Sequence, residues 1–166
     1  LLLETRGFNG FSTRELANEL GISSASLHHH FATKGDLAAA VIDRVREQIN
    51  AKLALIAVEV EGFELRVQHF HEAMQASAMF LAMCAADFPT LPTVAQNEVR
   101  QVYANMLGWL GRFATQARND GELSGDTNVE NVSAEVLSSL LGKAMLSRTE
   151  TATQLSMPKS AWAWQR

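Results

Sequence analysis

Apolar residues recur at steps of three and four along almost the entire chain, and strict apolar-polar alternation of β-branched residues is rare. Proline is confined to Pro89, Pro92 and Pro158, so little interrupts that period, and the pattern predicts an all-α protein. The opening segment, residues 1–6, reads as the tail of a helix stopped at Gly7, with Asn9 and Gly10 completing a turn. Ser12-Thr13-Arg14-Glu15 has the form of a capping box, in which Ser12 and Glu15 each satisfy the other's free amide. A short helix follows, with Leu16, Ala17 and Leu20 as its inner stripe, and Gly21 ends it. Ser23 caps a second short helix whose buried stripe is Leu27 and Phe31. Ser24, Ala25, Ser26, His28 and His29 are left on its open faces.

Thr33-Lys34-Gly35-Asp36 caps a third helix over about residues 34–58, with Leu37, Val41, Val45, Ile49, Leu53 and Ile56 on one side. Gly62 breaks the pattern. Residues 63–83 are rich in Phe, Met, Leu and Ala and predict one or two buried helices, which Phe88-Pro89 and Leu91-Pro92 interrupt. Residues 93–119 carry Val99, Val102, Tyr103, Met106, Leu107, Leu110 and Phe113 at helical spacing and stop before Gly121. Thr127 with Glu130 opens another helix, whose wide apolar face, Val129 to Met145, runs to about residue 147. A last short helix is expected after Pro158. The domain division that follows is a head over residues 1–46 and a larger helical domain over residues 47–166.

Composition narrows the classes of function. At 166 residues, with 47% hydrophobic and 19% charged positions, the chain can bury a real core and is not a disordered or low-complexity protein. No run of apolar residues is long enough to span a membrane, so no membrane partner is expected. The single cysteine, Cys84, can form neither an internal disulfide nor a four-cysteine zinc site, and a reducing, cytoplasmic compartment is the expected setting. The net charge of −4 argues against a non-specific nucleic-acid binder of the histone kind. Its distribution leaves room for a local reading surface: up to Lys52 the basic and acidic residues are equal in number, and the excess of acid lies beyond. There is no initiator methionine, and Leu1-Leu2-Leu3 runs directly into patterned sequence without a signal peptide's charged start, so an incomplete N-terminus is expected.

Two short helices joined by Leu20-Gly21-Ile22-Ser23 match a helix-turn-helix, the unit that lays its second helix in the major groove of DNA. The longer run Gly7-Phe8-Asn9-Gly10-Phe11-Ser12-Thr13-Arg14-Glu15-Leu16-Ala17, followed by Gly21-Ile22-Ser23, Leu27, His30-Phe31 and Lys34, resembles the TetR (tetracycline repressor) family of bacterial transcription regulators. The resemblance covers about residues 3–37 directly; beyond it the chain resembles the family in length and helical pattern. It implies base or backbone contacts at Ser24, Ala25, Ser26, His28 and His29, with Arg14 reaching a base from the preceding helix. It also implies phosphate contacts at Thr13 and Lys34, which sit at helix starts where free amides favour phosphate. The family usually has tyrosine where this chain has His28, which makes the phosphate contact there weaker or pH-sensitive.

The same resemblance implies a homodimer, formed through the last two long helices, that binds double-stranded operator DNA and releases it on binding a small-molecule effector. Val132, Val136, Leu140, Met145 and Trp162 are the candidate dimer residues, with an intrachain core as their plainer use. Phe70, Met74, Phe80, Met83, Met106, Trp109 and Phe113 offer adaptable apolar surface for an effector pocket, although most would serve equally as core. His69, His71, Cys84, Asp87 and Tyr103 are its candidate polar handles. Consecutive helical residues point about 100° apart, so His28, His29 and His30 cannot chelate one ion, and neither a metal nor a cofactor is expected. His30 is expected to pack at the edge of the head. The competing class is a helical small-molecule-binding protein or enzyme with an incidental helix-turn-helix. It finds little support, because the chain has no nucleophile elbow, no phosphate loop and no His-Glu-x-x-His motif.

Overall fold

A computed structural model describes residues 2–149; the helix expected after Pro158 and the dimer candidate Trp162 lie outside that range. The described residues form seven α-helices, in chain order α1 (Leu2–Arg6), α2 (Thr13–Glu19), α3 (Ser24–His30), α4 (Lys34–Glu59), α5 (Phe63–Asp87), α6 (Thr93–Asn119) and α7 (Val129–Ser147). Single 3-10 turns over Phe8–Gly10 and Phe88–Thr90 join α1 to α2 and α5 to α6, and no strand occurs among the described residues. The chain is therefore all-α, and α5 is one helix rather than two. Its continuity follows from 25 residues without Gly or Pro.

The chain divides into two compact units. Among the described residues, the first comprises those up to Gln48 together with Phe80–Val102, and the second Ile49–Met79 with those from Tyr103. The N-terminal unit is thus larger than a head ending at residue 46, because the end of α5 and the start of α6 return to it. Its core holds Phe8, Ala17, Leu27, Ala38, Ile42 and Val99. Two details differ from the sequence pattern. Ala38 and Ile42 are the deepest residues of early α4, with Leu37, Val41 and Val45 half-buried beside them. Leu20, expected inside, is 59% exposed, because it is the C-cap of α2, where the chain turns away from the core.

In the second unit Phe70, Met74, Met106 and Leu110 are fully buried. The Trp109 indole stacks 5.9 Å from the Phe70 ring and lies 4.7 Å from Phe113. Its ring N–H donates to the Leu53 carbonyl at 2.9 Å, so a polar atom inside the core is satisfied. The Glu122 carboxylate accepts the Phe63 amide at the start of α5 at 2.7 Å, across 59 positions of sequence. Helix α7 begins one residue later than its sequence implied, with Asn128 rather than Thr127 as the cap that accepts the Asn131 amide.

Candidate nucleic-acid interface

The two short helices of the head are closed by the chemistry legible in the sequence. The Glu15 amide donates to Ser12 Oγ at 3.1 Å and the Ser12 amide to the Glu15 carboxylate at 2.7 Å. The backbone bond from Ser12, and after it the bond to the Ser12 side chain, hold the Glu15 carboxyl below its ordinary range. At the other end of α2, Gly21 takes φ +69°, a conformation that side chains disfavour. This lets the Ile22 amide reach the Ala17 carbonyl at 3.0 Å and the Gly21 amide reach that of Asn18 at 3.1 Å, a Schellman closure. Ser23 then accepts the Ser26 amide at 3.0 Å and opens α3.

Leu27 is the buried anchor of α3. Ala25 and His29 lie on the opposite side of the helix, since two residues on a 100° spacing span most of the way around. Ala25, Ser26, His28 and His29 are exposed, Ser24 is half-buried, and Arg14 is exposed on α2, which packs against α3. Thr13 is half-buried at the first position of α2. His30 is exposed rather than packed, its ring edge-to-face with that of His29 at 5.4 Å. Among the described residues no group of His, Cys, Asp or Glu is placed to hold a metal ion.

Lys34 departs most from expectation. Its ammonium donates to the carbonyls of Phe8 and Phe11 and sits over both rings, 4.5 and 4.2 Å from their centroids. Partial burial lowers its pKa, against the opposing pull of the Glu15 and Asp87 charges. The ammonium expected on a phosphate is thus already engaged in fixing the turn before α2. Asp87, expected as a pocket handle, instead accepts the Phe8 amide at 2.6 Å from the end of α5. A Cβ at Gly7, where φ is +70°, would stand 2.6 Å from that carboxylate, so only glycine admits the contact. Beside it, the Asn9 amide group donates to the Thr90 hydroxyl at 2.8 Å. Sequence reasoning missed these links because the Lys34 bonds span 23 and 26 positions and the Asp87 and Thr90 bonds 79 and 81, and no local pattern announces them.

The chain matches the family profile described as "Bacterial regulatory proteins, tetR family" over residues 2–41 and that described as "Tetracyclin repressor-like, C-terminal domain" over residues 66–157. The chain belongs to the TetR family. It is similar to the nucleoid occlusion factor SlmA of Shewanella woodyi, at 34% identity over 68 residues, 41% of this chain and 34% of that protein, so the matched part spans about a third of the relative's length. A TetR transcriptional regulator from Legionella pneumophila superimposes with a TM-score of 0.78 and 26% identity, covering 90% of this chain and 82% of that one. A TetR-family regulator from Agrobacterium tumefaciens gives a TM-score of 0.81 at 21% identity, over 89% of this chain and 81% of that one, a likeness of fold alone.

For a TetR-family chain, the residues expected to face a partner need correction. Val132, Val136 and Leu140 are 1%, 0% and 4% exposed, because the wide apolar stripe of α7 is spent on the core of its own chain. Met145 remains open at 39%. The pocket residues are likewise used in packing: Phe70, Met74, Met106 and Trp109 are buried and Phe113 is half-buried, while Phe80 and Met83 belong to the N-terminal unit. A groove of about 590 Å³ lies instead between α6 and α7, lined by Leu107, Gly111, Arg112, Thr115, Val129, Glu130, Ser133 and Ala134, none of them an expected pocket residue.

Among the expected polar handles, His69 is exposed, 4.0 Å from Glu72, and Tyr103 is half-buried. His71 is half-buried, with Nδ1 2.9 Å from the Val67 carbonyl and Nε2 3.0 Å from the Ser139 hydroxyl, and burial lowers its pKa. Cys84 is buried, and burial together with the Asp87 charge pushes its pKa up to about 12, so it stays a protonated, unreactive thiol. No helix among the described residues is long and apolar enough to cross a membrane.

Proposed function

We propose that the protein is a sequence-specific DNA-binding transcription regulator, a binding protein and not an enzyme, that acts as a homodimer in the cytoplasm and leaves its operator when a small-molecule effector binds. The observation that carries this reading is α3, capped at its start, anchored by Leu27 and presenting Ala25, Ser26, His28 and His29 to solvent, within a segment that matches the family's N-terminal profile. Small and hydrogen-bonding side chains on the leading turns suit a helix that enters a major groove about 12 Å wide. Arg14 joins them from α2. Thr13 and Ser24 serve at the edge, and Lys34 supports the site from within.

The functional division proposed is reading within residues 1–46 and effector binding and dimerisation within residues 47–166. With Val132, Val136 and Leu140 inside, the surface for a second copy consists of the outer sides of α6 and α7, where Leu107, Ala134 and Met145 are exposed. The effector is accommodated in the second unit by repacking around Met74 and Met106, whose flexible side chains adapt at low cost. Two heads must then stand about 34–36 Å apart to enter successive major grooves. An effector releases DNA only as far as it binds the wrongly spaced dimer better than the correctly spaced one.

Selection of duplexes from a random-sequence library by the full chain, followed by gel shift, tests the proposal. A recovered consensus with twofold symmetry is the expected result, and a chain that recovers no sequence above background would sink it. Arg14→Ala is expected to weaken binding to the selected duplex by about 1–3 kcal/mol while leaving non-specific binding little changed.

A further inference from the structure

Helix α3 contains neither lysine nor arginine, and every positive charge it can carry must come from the imidazoles of His28, His29 and His30 in its last turn. Over residues 2–37 there are three basic side chains, Arg6, Arg14 and Lys34, against four carboxylates, Glu4, Glu15, Glu19 and Asp36, a net charge of −1 while the imidazoles are neutral. Protonating all three imidazoles turns that charge to +2. The sign of this surface therefore depends on whether those imidazoles carry protons.

The neighbouring charges strengthen the case. Lys34 is directed inward to the carbonyls of Phe8 and Phe11. On α2, Glu15 is engaged by Ser12, so Arg14 and Glu19 are the charges left on the helix packed against α3. At the start of α4, Asp36 is held by the Thr33 amide and hydroxyl. All three imidazoles are exposed, and two stand edge-to-face at 5.4 Å. The carbonyl end of a helix also favours a cation in its last turn.

Resting on the reading of α3 as the DNA-reading helix, we propose that protons on the His28–His30 turn supply the charge with which this helix holds the DNA backbone, so that duplex affinity rises as pH falls. Binding and proton uptake are then linked. Each imidazole that comes to face a phosphate takes up part of a proton on binding, and each such contact displaces a condensed counterion.

The experiment is fluorescence anisotropy of the full chain with a labelled duplex from the random-library selection, across salt, at about pH 5.5 and about pH 7.5. Affinity is expected to fall about fivefold per engaged imidazole between the two, and the slope of log affinity against log salt to be shallower at the higher pH by about 0.9 per imidazole. The triple variant H28Q/H29Q/H30Q is expected to bind weakly and independently of pH, while H29R keeps its affinity at the higher pH. A wild-type affinity and salt slope that do not change with pH overturn the inference while leaving the DNA-binding reading in place. Retention of the wild-type pH dependence by the triple variant overturns it equally. Absence of duplex binding at every pH overturns that reading and this inference with it. Should circular dichroism show the triple variant unfolded, the wild-type salt slopes at the two pH values decide alone.

Discussion

Helices α2 and α3 have seven residues each, too few to persist alone, whereas α6 and α7 have 27 and 19. In the head almost every helix end is tied by a polar contact that can be named: Ser12 with Glu15, the Gly21 turn, Ser23, and Thr33 with Asp36. In the C-terminal unit stability comes from broad apolar faces meeting around Phe70, Met106 and Trp109. The contrast has a functional reason. On the proposed function, a helix that reads DNA must leave most of its surface bare, so it has little apolar area to bury and depends on its ends; the long helices of the second unit are free to bury theirs.

The largest effect should come from the apolar side of the contrast. Trp109→Ala removes the stack on Phe70 and the bond to Leu53 and is expected to lower unfolding stability by about 3–5 kcal/mol in urea titration. A loss below about 1 kcal/mol would mean that the second unit is not held by this core. Next comes Asp87→Ala, which strands the buried Phe8 amide and should remove about 2 kcal/mol, with faster hydrogen exchange at Phe8. Unchanged exchange there would show that the head does not depend on α5. Smallest is Ser23→Ala, expected to remove about 1 kcal/mol and to loosen the Ser26 amide while leaving exchange around Met106 untouched. If both regions loosened together, the distinction between end-tied and core-tied helices would fail.

The elements of the head were legible because their determinants are local. A serine three residues before a glutamate, or a glycine where the chain must turn left, writes its structure within a few positions, and the exposure of Ala25, Ser26, His28 and His29 follows from the helical period once Leu27 is taken as the anchor. The long helices were legible as helices for the same reason. Their apolar stripes, however, say only that a face is covered, not by what, and so Val132, Val136 and Leu140 could be assigned to a partner when they belong to their own chain.

Sequence alone determined the helical class, the capped pair α2 and α3, the turn between them and the exposure of Ala25, Ser26, His28 and His29 on α3, but not that of His30. Tertiary structure decided which way Lys34 points, that Asp87 fastens Phe8, that Glu122 closes the start of α5, and that the Phe70–Trp109 cluster is packed. The physical reason is range. Caps and helical faces arise from bonds that span three or four residues, whereas these partners lie 23 to 79 residues apart in the chain and meet only when the helices pack.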